Sequence, residues 1–217
     1  AKKYNTKAHI LHISTADEIQ LLQNKGKYIT VEVTPQHLTL FSPDCYNKLA
    51  SLAQMNPPIR SLEHQIGLWK GISNGTVDVI GSDHAPHTLE EKKKQWPNSP
   101  SGMPGVQTTL SIMLNHVNNK KLTLKKLIEL LSENPCKIYN IKNKGFIKEG
   151  YDADLTIVDL NKEIIIKNEK IASKSGWSPF NGMKLKGSPV ATIVNGSIKM
   201  IEGKVLEKPN GKVIDFD

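Results

Sequence analysis

Cysteine is scarce in this 217-residue sequence: there are two, Cys45 and Cys136. Two such distant residues exclude a disulfide-stapled scaffold, and two free thiols are expected. Neither has a His or Gly cluster beside it, which argues against a nucleophilic role. Long apolar runs are also missing. Hydrophobic residues make up 38% of the chain, and no stretch approaches the roughly 20 apolar residues of a membrane helix. No charged, apolar, small-residue leader opens the sequence, so a cytoplasmic location is expected. Aromatic residues are only 6%. They do not interleave with Lys92-Lys93-Lys94, Lys120-Lys121 or Lys125-Lys126 as a nucleic-acid stacking platform requires. The net charge of +8 therefore reads as solvated surface, with neither nucleic acid nor membrane as partner. The first residues, Ala1-Lys2-Lys3-Tyr4, run into a strand-like segment without an initiating Met, as in a piece of something longer.

What is present is an alternating order of elements. Ala8 to Ile13 is strand-like. A helix follows from Thr15, whose spacing to Glu18 is that of a capping box, and Gly26 suits its stop. Tyr28 to Val33 is β-rich, and helices are expected over about Asp44–Ala53 and from Ser61 to near Gly75. Val77 to Ile80 is a third strand. This order predicts a parallel sheet covered by helices. Residues 88–105 read as a charged, then Pro-, Gly- and Ser-rich loop, either a substrate-contacting lid or plain mobile surface. Helices are expected over Gln107–Val117 and Thr123–Ser132, with a short third after Asn134-Pro135. From Gly150 onward the segments 153–158, 163–166 and 191–194 read as strands of a small β-domain. Asn195-Gly196 gives the strongest hairpin signal. Domain ranges of 1–148 and 149–217 follow.

Polar residues gather where the first three strands end. The first runs into His12-Ile13-Ser14-Thr15, with alternation placing His12 opposite Leu11 and Ile13. The second ends in Glu32-Val33-Thr34-Pro35-Gln36-His37. The third ends in Gly81-Ser82-Asp83-His84-Ala85-Pro86-His87, where Asp83 could coordinate a metal, move a proton or simply cap a helix. Between them Asn56-Pro57-Pro58-Ile59-Arg60 sets an amide and a guanidinium on a rigid turn. Gathering His, Asp, Asn and His on one rim would cost desolvation without a partner.

These motifs, with Pro100-Ser101-Gly102-Met103-Pro104-Gly105, Asn134-Pro135, Gly150-Tyr151-Asp152-Ala153-Asp154-Leu155 and Ser178-Pro179-Phe180-Asn181-Gly182, resemble the amidohydrolase superfamily. Within it they look most like the type I dihydroorotases. The resemblance implies an α/β fold: the last three strands and helices of a (β/α)8 barrel over 1–148, and part of a composite β-sandwich over 149–217. It implies that His12 and Asp83 bind metal, with zinc as the ion, one or two per site in the complete enzyme. Asp83 would also be the catalytic base and acid, and Asn56, His87, Ser101 and Gly102 would hold the substrate. The implied reaction is reversible opening of dihydroorotate to N-carbamoyl-aspartate.

Two departures qualify the match. Gln36-His37 stands where family members commonly carry two histidines. The His-x-His pair, the acidic or carboxylated-lysine bridge and the fifth-strand His of the family have no counterpart. The expected partner is therefore a missing N-terminal barrel half, without which this chain would be inactive. A homodimer or association with aspartate transcarbamoylase is a further expectation. Alternative readings are a non-catalytic scaffold and a related hydantoinase or allantoinase.

Overall fold

Three short parallel strands organise the first part of the chain. In the computed structural model, which describes residues 1–206 and 208–216, β1 (Ala8–Ile10) is followed by α1 (Ala16–Leu22) and β2 (Ile29–Val33). Next come α2 (Pro35–Thr39), α3 (Asp44–Leu49), a 3-10 turn (Ala50–Ala53), α4 (Leu62–Ser73) and β3 (Val79–Ile80). The sheet order is β1-β2-β3, with Ala8 opposite Ile29 and Val33 opposite Ile80. Alternation divides β2 between two environments. Val31 and Val33 are fully buried, whereas Thr30 and Glu32 keep partial exposure.

The helix boundaries have local causes. The Thr15 hydroxyl accepts the Glu18 amide and the Glu18 carboxylate accepts the Thr15 amide, closing the expected capping box of α1. Thr34 caps α2, whose Pro35 needs no amide partner in the first turn. This helix was not legible as more than a turn. Residues 88–105 also hold more order than a loop: α5 (Leu89–Lys92) carries a second capping box, Thr88 with Glu91.

Helices α1 and α4 meet at Gly67. A Cβ there would lie 2.4 Å from the Cβ and 2.7 Å from the Cα of Ala16. Backbone on one side cannot yield as a flexible side chain would. Gly67→Ala is therefore expected to lower unfolding free energy by about 1–3 kcal/mol, the usual range for overpacking, as measured by urea denaturation.

The second unit is described by itself. It contains α6 (Thr109–Asn118) from Leu110 onward, α7 (Leu124–Ile128), a π turn (Glu129–Glu133) and α8 (Asn134–Ile138). Its sheet has the order β4 (Leu155–Ile165, through Ile164), β5 (Lys184–Val194), β6 (Ser197–Ile201) and β7 (Lys204–Val205). The strands expected at 153–158 and 163–166 are one long strand. Asn195 and Gly196 take φ of 47° and 74° between Val194 and Ser197, the hairpin anticipated from their sequence. Asn118 binds this unit internally, its amide donating to the carbonyls of Leu160 and Lys186 at 2.9 and 2.8 Å.

The division of the chain differs from a boundary at 148/149. Residues 1–109 group with 165–183, and 110–164 group with 184–217. Segment 165–183 joins the first unit because Trp177 and Phe180 are 1% and 2% exposed. Gln107 further ties it through bonds to Lys170 and Ala172. Both cysteines are free thiols. No helix among the described residues is long and apolar enough to cross a membrane.

Candidate active site

The ends of β1 and β3 carry backbone that few residues accept. His12 has φ of 36° and Asp83 φ of 40°, left-handed values that cost a non-glycine residue free energy and cluster at functional positions. His12 does not lie on a regular strand. β1 stops at Ile10, Leu11 is 51% exposed and Ile13 is 1% exposed, so the expected alternation fails there. The backbone bends there instead. Glu32 supports that bend by accepting the His12 amide at 3.3 Å. Its carboxylate occupies the space that a side chain at Gly81 would need.

His37 lies on α2, just beyond the end of β2. It is 2% exposed, and burial holds its pKa below the usual imidazole range. The hydrogen bond to the Pro57 carbonyl opposes that effect, the His12 imidazole adds to it, and the Asp83 and Glu18 carboxylates oppose it. Its ring nitrogens are both engaged: Nδ1 with the Thr34 hydroxyl at 2.8 Å and Nε2 with the Pro57 carbonyl at 3.0 Å. A carbonyl only accepts, so Nε2 carries the proton and Nδ1 receives the hydroxyl hydrogen. Neutral His37 thereby fixes the turn that presents Asn56. Its neighbour Gln36, fully buried, donates to the Ser82 carbonyl at 2.9 Å and steadies the peptide before Asp83.

The segment after Asp83 is fastened to residues 102–105. The Ala85 amide donates to the Met103 carbonyl at 3.0 Å, and the Gly105 amide donates to His84 Nδ1 at 3.1 Å. Gly102, at φ of 124°, lies so close that a Cβ would meet that of Ala85 at 2.4 Å and the His87 ring at 3.5 Å. Its amide donates to the Gln54 carbonyl at 3.0 Å. The His87 carbonyl accepts the Trp177 indole N–H at 2.9 Å. An open groove of about 730 Å³ brings Asn56 and Ser101 together, with Tyr46, Gln54, Pro58 and Trp96.

Sequence reasoning overlooked Lys92. It is fully buried, and its ammonium donates to the carbonyls of Gln54 and Pro100, both at 2.7 Å. Burial lowers its pKa to about 8. His12 and Asp83 are nitrogen and oxygen donors of the kind zinc accepts. Among the described residues no cluster of three or more His, Cys, Asp or Glu could hold a metal. A catalytic zinc takes at least three protein ligands, more than His12 and Asp83 supply by themselves.

The sequence profile of the amidohydrolase family matches residues 2–199, and the chain belongs to that family. It is similar to a protein named dihydroorotase from Pyrococcus furiosus, 42% identical over 98% of this chain and 50% of that protein. Another of that name, from Methanosphaera stadtmanae, is 42% identical over 91% of this chain and 46% of its own length. Among solved structures, an L-hydantoinase (dihydropyrimidinase) from Arthrobacter aurescens aligns with a TM-score of 0.90 and 33% identity. The alignment covers 95% of this chain and 48% of that one. The chain thus spans about half the length of the curated relatives it matches. Its α/β architecture, with parallel and antiparallel sheets, is that of the hydantoinase-like amidohydrolases.

Proposed function

We propose that this chain is the C-terminal half of a dihydroorotase, which opens the cyclic amide of dihydroorotate to N-carbamoyl-aspartate and closes it again in de novo pyrimidine (UMP) synthesis. The observation that carries this reading is the left-handed backbone of His12 and Asp83 just beyond the ends of β1 and β3. In this reading β1 to β3 are the last three strands of a (β/α)8 barrel, and the second sheet is part of a β-sandwich. The remaining barrel strands come from a missing N-terminal half. A homodimer or an aspartate transcarbamoylase partner, and a cytoplasmic setting, fit the same reading.

In hydrolysis, Asp83 takes one proton from water as the water oxygen bonds to the ring carbonyl carbon. The C–N bond breaks, and the same carboxyl group delivers that proton to the departing nitrogen. The second water proton stays with the new carboxyl group, which ionises in solution. Asn56, His87 and the Ser101-Gly102 backbone hold the ring and its carboxylate. Zinc would take His12 and Asp83 among its donors and supply Lewis acidity at the carbonyl oxygen.

A related cyclic-amide hydrolase is the second reading, favoured by the structural likeness to the L-hydantoinase. Parallel assays of dihydroorotate, hydantoin and allantoin, with the remaining barrel strands present, separate the two. The expected result is turnover of dihydroorotate at a kcat/KM at least about 100-fold above either alternative, as a site built around a ring carboxylate predicts. Preference for hydantoin or allantoin would move the assignment to that class. Failure to hydrolyse any of them or to bind metal would make the protein a scaffold.

A further inference from the structure

We propose that Lys92 is a positioning residue that sets the spacing of the two walls of the substrate groove, an inference that rests on the reading of Asn56 and Ser101 as substrate-holding groups. The ammonium bridges the carbonyl two residues before Asn56 and the carbonyl immediately before Ser101, Gln54 and Pro100, at 2.7 Å each. One cation thus pins both strips of backbone that carry those groups. The Gln54 carbonyl uses its second lone pair for the Gly102 amide at 3.0 Å, so the same oxygen also fixes the glycine beside the His87 ring.

The rest of Lys92 is held just as closely. Its carbonyl accepts the hydroxyls of Ser51 at 2.6 Å and Ser99 at 3.0 Å. The Gln54 side-chain amide closes the knot on the Ser99 carbonyl at 2.8 Å. No ion pair with a carboxylate forms at Lys92 among the described residues. A core filler would be apolar, since a buried ammonium without a counter-charge is costly. What the charge adds is a strong, directed hold on two carbonyls that would otherwise be free to drift apart.

The test is Lys92→Met, which keeps most of the side chain's bulk and removes the donors, made in the complete protein. Hydrogen exchange at the Gly102 amide and across 93–101 is expected to accelerate by about tenfold or more, the factor corresponding to loss of one charge-assisted bond. KM for dihydroorotate is expected to rise by about the same factor, with kcat changed by less than about threefold, because binding and not the reacting group is displaced. Lower thermal stability with unchanged Gly102 exchange and unchanged KM would overturn the proposal and leave Lys92 merely structural. Should Lys92→Met fail to fold, Lys92→Gln decides, because its shorter amide cannot reach both carbonyls: faster Gly102 exchange with a higher KM supports the clamp, and wild-type values overturn it. If wild type itself does not turn over dihydroorotate, the substrate reading falls separately, and Gly102 exchange alone rules on the clamp.

Discussion

Replacing Asp83 with Asn is expected to lower kcat for dihydroorotate hydrolysis by about 10³-fold while leaving the fold intact, the loss typical of removing a general base and acid. The variant isolates the carboxylate. Asn has the same shape and is among the few residues that tolerate the left-handed φ of 40° found there. It cannot take a proton from water. Thermal unfolding should therefore move by only a few degrees, roughly the shift that about 1 kcal/mol produces in a domain of this size. Asp83→Gly sharpens the point. Glycine adopts positive φ without steric cost, so that variant should be at least as stable as wild type and equally inactive. Together the two would identify strain retained for chemistry. Asp83→Asn keeping a tenth or more of the wild-type rate would remove Asp83 from its assigned role.

How much of this was legible in the sequence depended on the kind of signal each residue sends. Periodicity and caps are local, and they located β2, α1, α4 and the Asn195-Gly196 hairpin within a few residues. At His12 the expected geometry fails: the regular strand ends two residues earlier, and the backbone there is left-handed. Lys92 lay in a charged run that looked solvated. Its partners are backbone carbonyls 38 and 8 residues away, and a carbonyl is the same in every residue, so nothing in the sequence announces it. The Thr88–Glu91 box was a visible hint of order in that stretch. His37 was noted only as a departure from the family pattern. Its role in holding Pro57 requires the fold that brings α2 against residues 56–58. The grouping of 165–183 with the first unit, where Trp177 and Phe180 are buried, is long-range burial that a scan for composition breaks does not register.

Trp177 shows how such distant packing reaches the site, and its removal should be the most damaging single truncation in the first unit. The indole is 1% exposed and packs with Cys45, Ala53, Met55, Ile59 and Met103. Met55 precedes Asn56 and Met103 follows Gly102, so one ring packs under both strips of backbone that the proposed function assigns to substrate. Trp177→Ala is expected to cost about 3–5 kcal/mol in urea unfolding, combining lost apolar burial with a cavity lined by the Met, Ile and Ala side chains. That is a large share of the roughly 5–15 kcal/mol by which a domain is normally stable. The indole N–H also holds the His87 carbonyl at 2.9 Å, a bond that Trp177→Phe removes while keeping most of the bulk. This milder variant should fold and lose about 1–2 kcal/mol. It should also bind dihydroorotate more weakly, because His87 would lose the anchor of its peptide. A cost below about 1 kcal/mol for Trp177→Ala would mean that the core beneath Asn56 and Gly102 closes without the indole, contrary to the partial relaxation usual around large cavities.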